Sequence, residues 1–157
     1  MALSQDQIRT QYPLPVYNYK VDIGTDTIAF SEVSGLELSF ETITYKESPT
    51  GSGVAGPNIM HMPGTRKPLN ITMKKGFVKG KSMPTLYNWL NATQLNQAIK
   101  KDITVHLCDE KGESVVRWKV IDAFPIKLSA PSFNAGSNEI AIESIELMAS
   151  SLEMAGG

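Results

Sequence analysis

The sequence is short of almost everything that chemistry at a site requires. Cys108 is the only cysteine in 157 residues, which excludes an internal disulfide and a thiolate cluster for zinc or iron–sulfur. It reads as a plain strand residue. The two histidines, His61 and His106, stand in no HxH or HExxH spacing, so no metal centre is expected and both read as loop or surface residues. There is no GxSxG or P-loop, and GSGVAG, which spells GxGxxG, follows a strand pattern but precedes no helix, so it does not read as a phosphate cradle. Neither sign of charge dominates. Fifteen Lys and Arg face 16 Asp and Glu, a net charge of −1, which gives no electrostatic reason to bind nucleic acid or an anionic lipid surface. Nowhere do ~18 consecutive apolar residues occur, and MALSQDQIRTQYPLP lacks the basic start and apolar run of a signal peptide. A chain made and folded in the cytoplasm is expected.

What is present is strand patterning. YNYKVDI, Tyr17 to Ile23, alternates apolar and polar residues, and TIAFSEV leads into SGLELSFETITYKE, where Leu36, Leu38 and Phe40 alternate with Glu37, Ser39 and Glu41. LNITMKK repeats the pattern with Leu69, Ile71 and Met73. In SMPTLYNWLNATQLNQAI the period changes: Leu86, Trp89 and Leu90 recur at helical spacing, and Ser82 with Pro84 resembles a helix start. The expectation is one helix over 84–91, with a less regular continuation toward Ile99. DITVHLCDEKGESVVRWKVIDAFPIKL reads as a hairpin whose core residues are Ile103, Val105, Leu107, Val116, Trp118 and Val120. In the last strand Ile140 and Ile142 fall on even positions but Ile145 and Leu147 on odd ones, which predicts a bulge near Glu143 and Ser144. The sum is a mainly β single domain over 1–157. It reads as a β-sandwich or small barrel of about seven or eight mostly antiparallel strands with one flanking α-helix. Its ends read as an N-terminal arm, 1–14, and a C-terminal tail, 149–157.

One stretch does not fit. SPTGSGVAGPNIMHMPG, Ser48 to Gly64, carries no formal charge and ends in Ile59, Met60 and Met62. Loops beyond ~12 to 15 residues are usually binding elements or linkers, and a linker is normally more polar. This loop, taken with its flanks as 46–66, is expected to bury itself against something.

Other candidates have plain readings. Glu37 and Glu41, with Glu139, Glu143 and Glu146, could pair as a glycosidase couple. That chemistry needs a cleft with sugar-stacking aromatics and one acid in an apolar setting, and a solvated strand face is the simpler reading. Trp89 and Trp118 read as core. The patch KKGFVKGK, Lys74 to Lys81, faintly suggests a nucleic-acid surface, although an exposed turn or protein-contact surface is favoured.

Taken together, the motifs resemble the tail tube (inner tube) proteins of contractile injection systems and contractile phage tails. Tyr17-x-Tyr19-x-Val21 is similar to the family's first strand, and FSEVSGLELSFETITYKE to its second and third. Pro63-Gly64 followed by NITMKKG matches the pattern after its long loop. Leu86-x-x-Trp89, DITVHLCDEKG, Arg117-Trp118, AFPIK and NAGSNEIAIESIEL then follow in family order, so the resemblance spans 16–148.

The resemblance implies homohexameric rings stacked into a hollow tube whose lumen is a β-barrel shared by all subunits, driven through a target envelope by sheath contraction. The implied partners are other copies of the chain, a sheath protein, baseplate or hub and tube-initiator proteins, a terminator or cap, and a tape-measure protein and cargo in the lumen. Specific nucleic-acid or lipid binding is not among them. No catalytic residue, metal or cofactor is implied. The particle would be a phage tail or phage-tail-like, and could be extracellular after release. In this family the long loop reaches neighbouring subunits, which assigns inter-subunit contact to Tyr45, Lys46, Glu47, Ile59, Met60, His61, Met62, Pro63 and Gly64. Glu37, Ser39, Glu41, Glu139 and Glu143 become candidates for the lumen wall, although strand parity alone does not separate a lumen from an outer face. Relatives often carry basic residues before the Pro-Gly where this chain has only His61, so an apolar, salt-insensitive lock is expected. Phe124 stands where relatives often have Trp. Two rival functions remain open: a secreted hexameric ring protein of a type VI-like system acting as effector carrier, and a small β-barrel carbohydrate-active enzyme.

Overall fold

The computed structural model describes residues 2–78, 83–95 and 97–156. Among these, the elements run α1 (Gln5–Gln11), β1 (Tyr19–Ile23), β2 (Asp26–Ile28), β3 (Glu32–Ser34), β4 (Phe40–Glu47), β5 (Asn58–Arg66), β6 (Leu69–Gly76), α2 (Met83–Asn91), β7 (Lys101–Cys108), β8 (Ser114–Ser129), β9 (Ile142–Ala149) and β10 (Ser151–Gly156). All strand pairings are antiparallel. Eight strands connect in the order β2-β1-β7-β8-β9-β6-β3, with β10 also on β8, while β4 and β5 pair only with each other. The mainly β class with one core-packed helix is the expected one.

Strand β8 organises this arrangement. Its first half pairs with β7 and β10, its second half with β9, so one strand belongs to two sheets. Three register shifts interrupt its ladders, and in each the surplus residue lies in β8: at Val115, at Ile121–Asp122 and at Ile126. Such bulges bend a strand and sharpen its twist. Asp122 sits at φ 55°, a left-handed conformation that Asp tolerates better than most residues. Its N–H is held by Asp102 Oδ1 at 3.1 Å. Pro125, beside Ile126, has no N–H for the ladder, which favours a skipped position there.

The two halves of the folded sheet enclose the core. Val21, Ile23, Ile103, Val105 and Val120 from one side meet Leu69, Ile71, Met73, Ile145 and Leu147 from the other, and α2 closes the end with Leu86 and Trp89. The Trp89 indole N–H donates to Ile99 O at 2.7 Å. That bond draws the following segment back beneath the helix instead of letting it continue.

Several expectations need correction. The loop expected over 46–66 is the largest: Asn58–Arg66 is not loop but β5, and the true connection is only 48–57. The first strand starts at Tyr19, leaving Tyr17 exposed. Residues 36–39 are not strand, because Gly35 turns the chain at φ 90° and the Glu37 N–H closes on Gly35 O at 2.8 Å. The bulge expected in the last strand is absent, since β6 and β9 pair without interruption from Leu69↔Ala149 to Gly76↔Ile142. It lies in β8 instead, so Glu143 points inward while Ile140 and Ile142 remain exposed. The C-terminal tail is strand β10. The N-terminal arm contains α1, closed by a capping box in which Ser4 Oγ accepts from the Gln7 N–H and Gln7 Oε1 from the Ser4 N–H. Ser82, the expected helix start, lies outside the described residues.

Two substitutions test this packing by different physics. Leu147→Ala empties a fully buried site and is expected to cost about 2–5 kcal/mol. Gly35→Ala places a Cβ 2.2 Å from Asn70 O on a backbone at positive φ, and should destabilise by at least about 1–3 kcal/mol. Urea unfolding of each variant reads both.

Candidate assembly interface

The β4–β5 ribbon follows from alternation in two segments that face each other: Ile43↔Met62, Thr44↔His61, Tyr45↔Met60, Lys46↔Ile59 and Glu47↔Asn58. Cross-strand partners share a face, so the expected contact residues divide. Ile43, Tyr45, Met60 and Met62 lie on one side, each roughly half exposed at 42–50%. Thr42, Thr44, Lys46, Ile59, His61 and Pro63 lie on the other, where Thr44 Oγ1 and His61 Nδ1 are 3.2 Å apart. Ile59 is therefore separated from the two methionines with which the sequence groups it. Gly64 lies beside the only irregularity of the ribbon, where the surplus residue is in β5. A Cβ there would stand 2.9 Å from Glu41 O, so glycine permits the close approach.

An isolated two-stranded ribbon is marginal in water. This one joins no other sheet, and its apolar face consists of the side chains a core normally holds.

The candidate lumen residues do not form a single face. Glu37 and Ser39 are exposed but precede the strand; Glu139 is exposed in the segment before β9. Glu41 shares the parity of Ile43 and Tyr45 and therefore flanks the apolar side. Glu143 is 4% exposed, which removes it from any solvent-facing wall. It stands opposite Lys75, itself buried, at the inward end of β6 and β9. Lys74 pairs with Glu32 at 3.4 Å and Lys75 is buried, so the described part of the basic patch is not one exposed surface; Lys79 and Lys81 lie outside the described residues. Trp118 is only half-buried. With Tyr19, Val33, Leu36, Val105 and Leu107 it lines an apolar groove of about 430 Å³ at the open end of the sandwich.

His106 is better placed than a surface histidine. Nε2 lies 2.9 Å from Asp22 Oδ2 and Nδ1 3.0 Å from Ser114 Oγ, while Asp22 Oδ1 accepts from the Thr27 hydroxyl at 2.7 Å. Sequence spacing gave no sign of this cluster, because its members come from separate strands. The side chains lie on the outward parity of β1, β7 and β8 and tie those strands together.

The two environments shift acids in opposite directions. The Thr27 hydroxyl first, then His106 and Lys20, hold the Asp22 carboxyl below its ordinary value of 3.8 against partial desolvation. Burial pushes Glu143 above 4.5, opposed by Lys75. Asp22 thus contributes stability above its ordinary pKa that is lost as pH falls through the lowered one. For Glu143 the folded state holds the proton more tightly, so stability is lost as pH rises through the raised value. Asp22→Asn is expected to flatten the acid limb of the stability profile, and Glu143→Gln to raise stability at neutral pH relative to the unsubstituted chain. Thermal unfolding of the free chain between pH 3 and 8 separates the two effects.

Likeness to known proteins accords with a subunit whose apolar surface awaits cover. A chain in the cryo-electron microscopy structure of an extracellular contractile injection system, the PVC sheath-tube complex in its extended state, is similar at 42% identity and a TM-score of 0.88, over 99% of this chain and 100% of that one. A chain in the anti-feeding prophage cap (AFP tube terminating cap) is similar at 44% identity and a TM-score of 0.84, over 100% of both. For a chain in the PVC sheath/tube terminator the values are 43% and 0.82, over 94% of this chain and 99% of that one. No protein of curated function matches the sequence. The model of the family described as T4-like virus tail tube protein gp19 matches residues 15–153, and with that span matched the chain belongs to this family of structural tail tube proteins, which are not enzymes.

Proposed function

We propose that the chain is the inner tube subunit of a phage-tail-like contractile injection particle. Six copies close into a ring, rings stack head to tail, and the hollow tube carries cargo and is pushed through a target envelope when a surrounding sheath contracts. The observation that carries this reading is the β4–β5 ribbon, whose apolar side chains are about half exposed and whose strands join no other sheet among the described residues. In a ring built by heterologous contacts each ribbon lies on the next copy, and the two unlike faces of the ring stack without closure. Identity above two fifths to chains of sheath-tube and cap complexes favours this job over a secreted ring or a carbohydrate-active enzyme. Sheath, baseplate, initiator, cap, tape-measure protein and cargo are the partners of this reading, and an extracellular particle its location.

The side of the ribbon bearing Ile43, Tyr45, Met60 and Met62 is assigned to subunit contact. Methionine suits it, because a flexible thioether chain adapts to an irregular partner surface. Glu37, Ser39 and Glu139 remain the lumen-wall residues of this proposal, where acidic and hydroxyl groups leave passing cargo nothing apolar to adhere to.

Electron microscopy of the purified chain over a range of concentrations tests the function: six-fold rings or stacked tubes are expected, and a chain that stays monomeric even with baseplate components added contradicts it. Met60→Asp with Met62→Asp tests the ribbon. The double variant should keep the unfolding midpoint of the free chain and lose ring or tube formation, largely independently of salt; normal tubes from it would contradict the assignment.

A further inference from the structure

Lys75 and Glu143 are register partners on the inward face of β6 and β9, 6% and 4% exposed. They do not neutralise each other by contact. Lys75 Nζ stands over the Phe30 ring, 5.9 Å from its centroid, and among the described residues no salt bridge joins the two side chains. Glu143 Oε2 is fully buried and has no hydrogen-bond partner among the described residues. A carboxylate oxygen left in that condition is costly, and native structures hold few such groups.

The unpartnered acid borders a cleft of about 610 Å³ between α2 and the ends of β6, β8 and β9, walled by Phe77, Tyr87, Leu90 and Leu128. An apolar-walled cleft beside a buried carboxylate oxygen that Lys75 faces but does not bond is the anatomy of an interface anchor point. Its chemical complement is a side chain with an apolar stem and a cationic end, which describes lysine and arginine.

We infer that this cleft is a socket for a lysine or arginine side chain of a second copy of the chain. The choice of a second copy rests on the tube reading above. It is supported by charge complementarity, since the chain carries exposed cations on projecting elements; Lys46 on the β4–β5 ribbon is one. Occupation turns the costly acid into a desolvated ion pair, and one missing its partner costs far more than a surface pair. Burial raises the proton affinity of Glu143 in the free chain, opposed by Lys75, and a docked cation would lower it.

Two measurements on the full chain decide the point. In a side-chain-resolution reconstruction of assembled tubes, a lysine or arginine nitrogen of a neighbouring copy is expected within hydrogen-bond distance of the Glu143 carboxylate. A carboxylate met by Lys75, by any other group of its own chain, or by water alone overturns the inference while leaving the tube intact. In solution, Glu143→Gln should raise the critical concentration for tube growth at least about thirtyfold, with the free chain's unfolding midpoint unchanged or higher. Tubes that grow from the variant as from the unsubstituted chain overturn it as well. An unsubstituted chain that forms no tube under any condition removes the proposed function itself, and the second-copy occupant with it.

Discussion

The bend of β8 is the constraint on which the rest of the molecule depends. A strand of 16 residues can serve two sheets only if it turns without losing its backbone partners, and three bulges allow it to do so. Its partner across the turn is in effect one broken strand: β9 and β10 follow each other along the same edge of β8, interrupted at Ser150, whose N–H bonds to Ile121 O at 3.1 Å. This bent ribbon folds the sheet over the core and leaves α2 to close one end. It also fixes the parity of β9. With the surplus residue in β8, odd positions of β9 face inward, and Glu143 enters the interior with Ile145, Leu147 and Ala149.

The chain completes its core and still leaves interior chemistry outside. The β4–β5 ribbon presents four large apolar side chains to solvent on one face, the sandwich end opens as a groove beside Trp118, and at the α2 end a buried carboxylate oxygen has no hydrogen-bond partner among the described residues. A domain selected to act alone tends to cover or charge such features. In the proposed tube they are surfaces left for other copies, and the ordinary rule that polar atoms pair and apolar ones hide would be met in the assembly.

Sequence patterning revealed the elements whose faces are buried within the chain itself. Alternation located β6 and most of β7, and helical spacing located α2, because Leu69, Ile71, Met73, Leu86 and Trp89 are apolar for the sake of this chain's own core. It failed where the other partner is another strand edge or another copy. Pro63 and Gly64 are turn and breaker residues, so NIMHMPGTR reads as loop, yet in a two-stranded ribbon with open edges a proline forfeits little and a glycine admits the β4 backbone. The separation of Ile59 from Met60 and Met62 needs only strand period, but it is invisible until the segment is recognised as strand. Capping box Ser4–Gln7 was legible and overlooked. Glu143 was misplaced for a deeper reason: assuming that isoleucine belongs inside moved the bulge to β9 and the acid to the surface, whereas this chain sends Ile140 and Ile142 out and the acid in. The functional class was legible through the order of weak motifs over nearly the whole length, a signal that no single residue carries.

Near neutrality belongs to the same logic. Copies stacked in a tube place like charges side by side, and a subunit of large net charge would add repulsion with every ring. A net charge of −1 keeps that accumulation small, but it also withdraws long-range attraction as a means of selecting the correct neighbour. On the contacts proposed above, selection falls to groups that act only at close range: the apolar side of a ribbon, where misregister by one residue presents the wrong face, and buried charge, which is favourable only when its complement arrives. Both discriminate sharply over an ångström or two and weaken little in salt, the properties a rigid tube needs if it is to grow in one register and survive being driven forward as a unit.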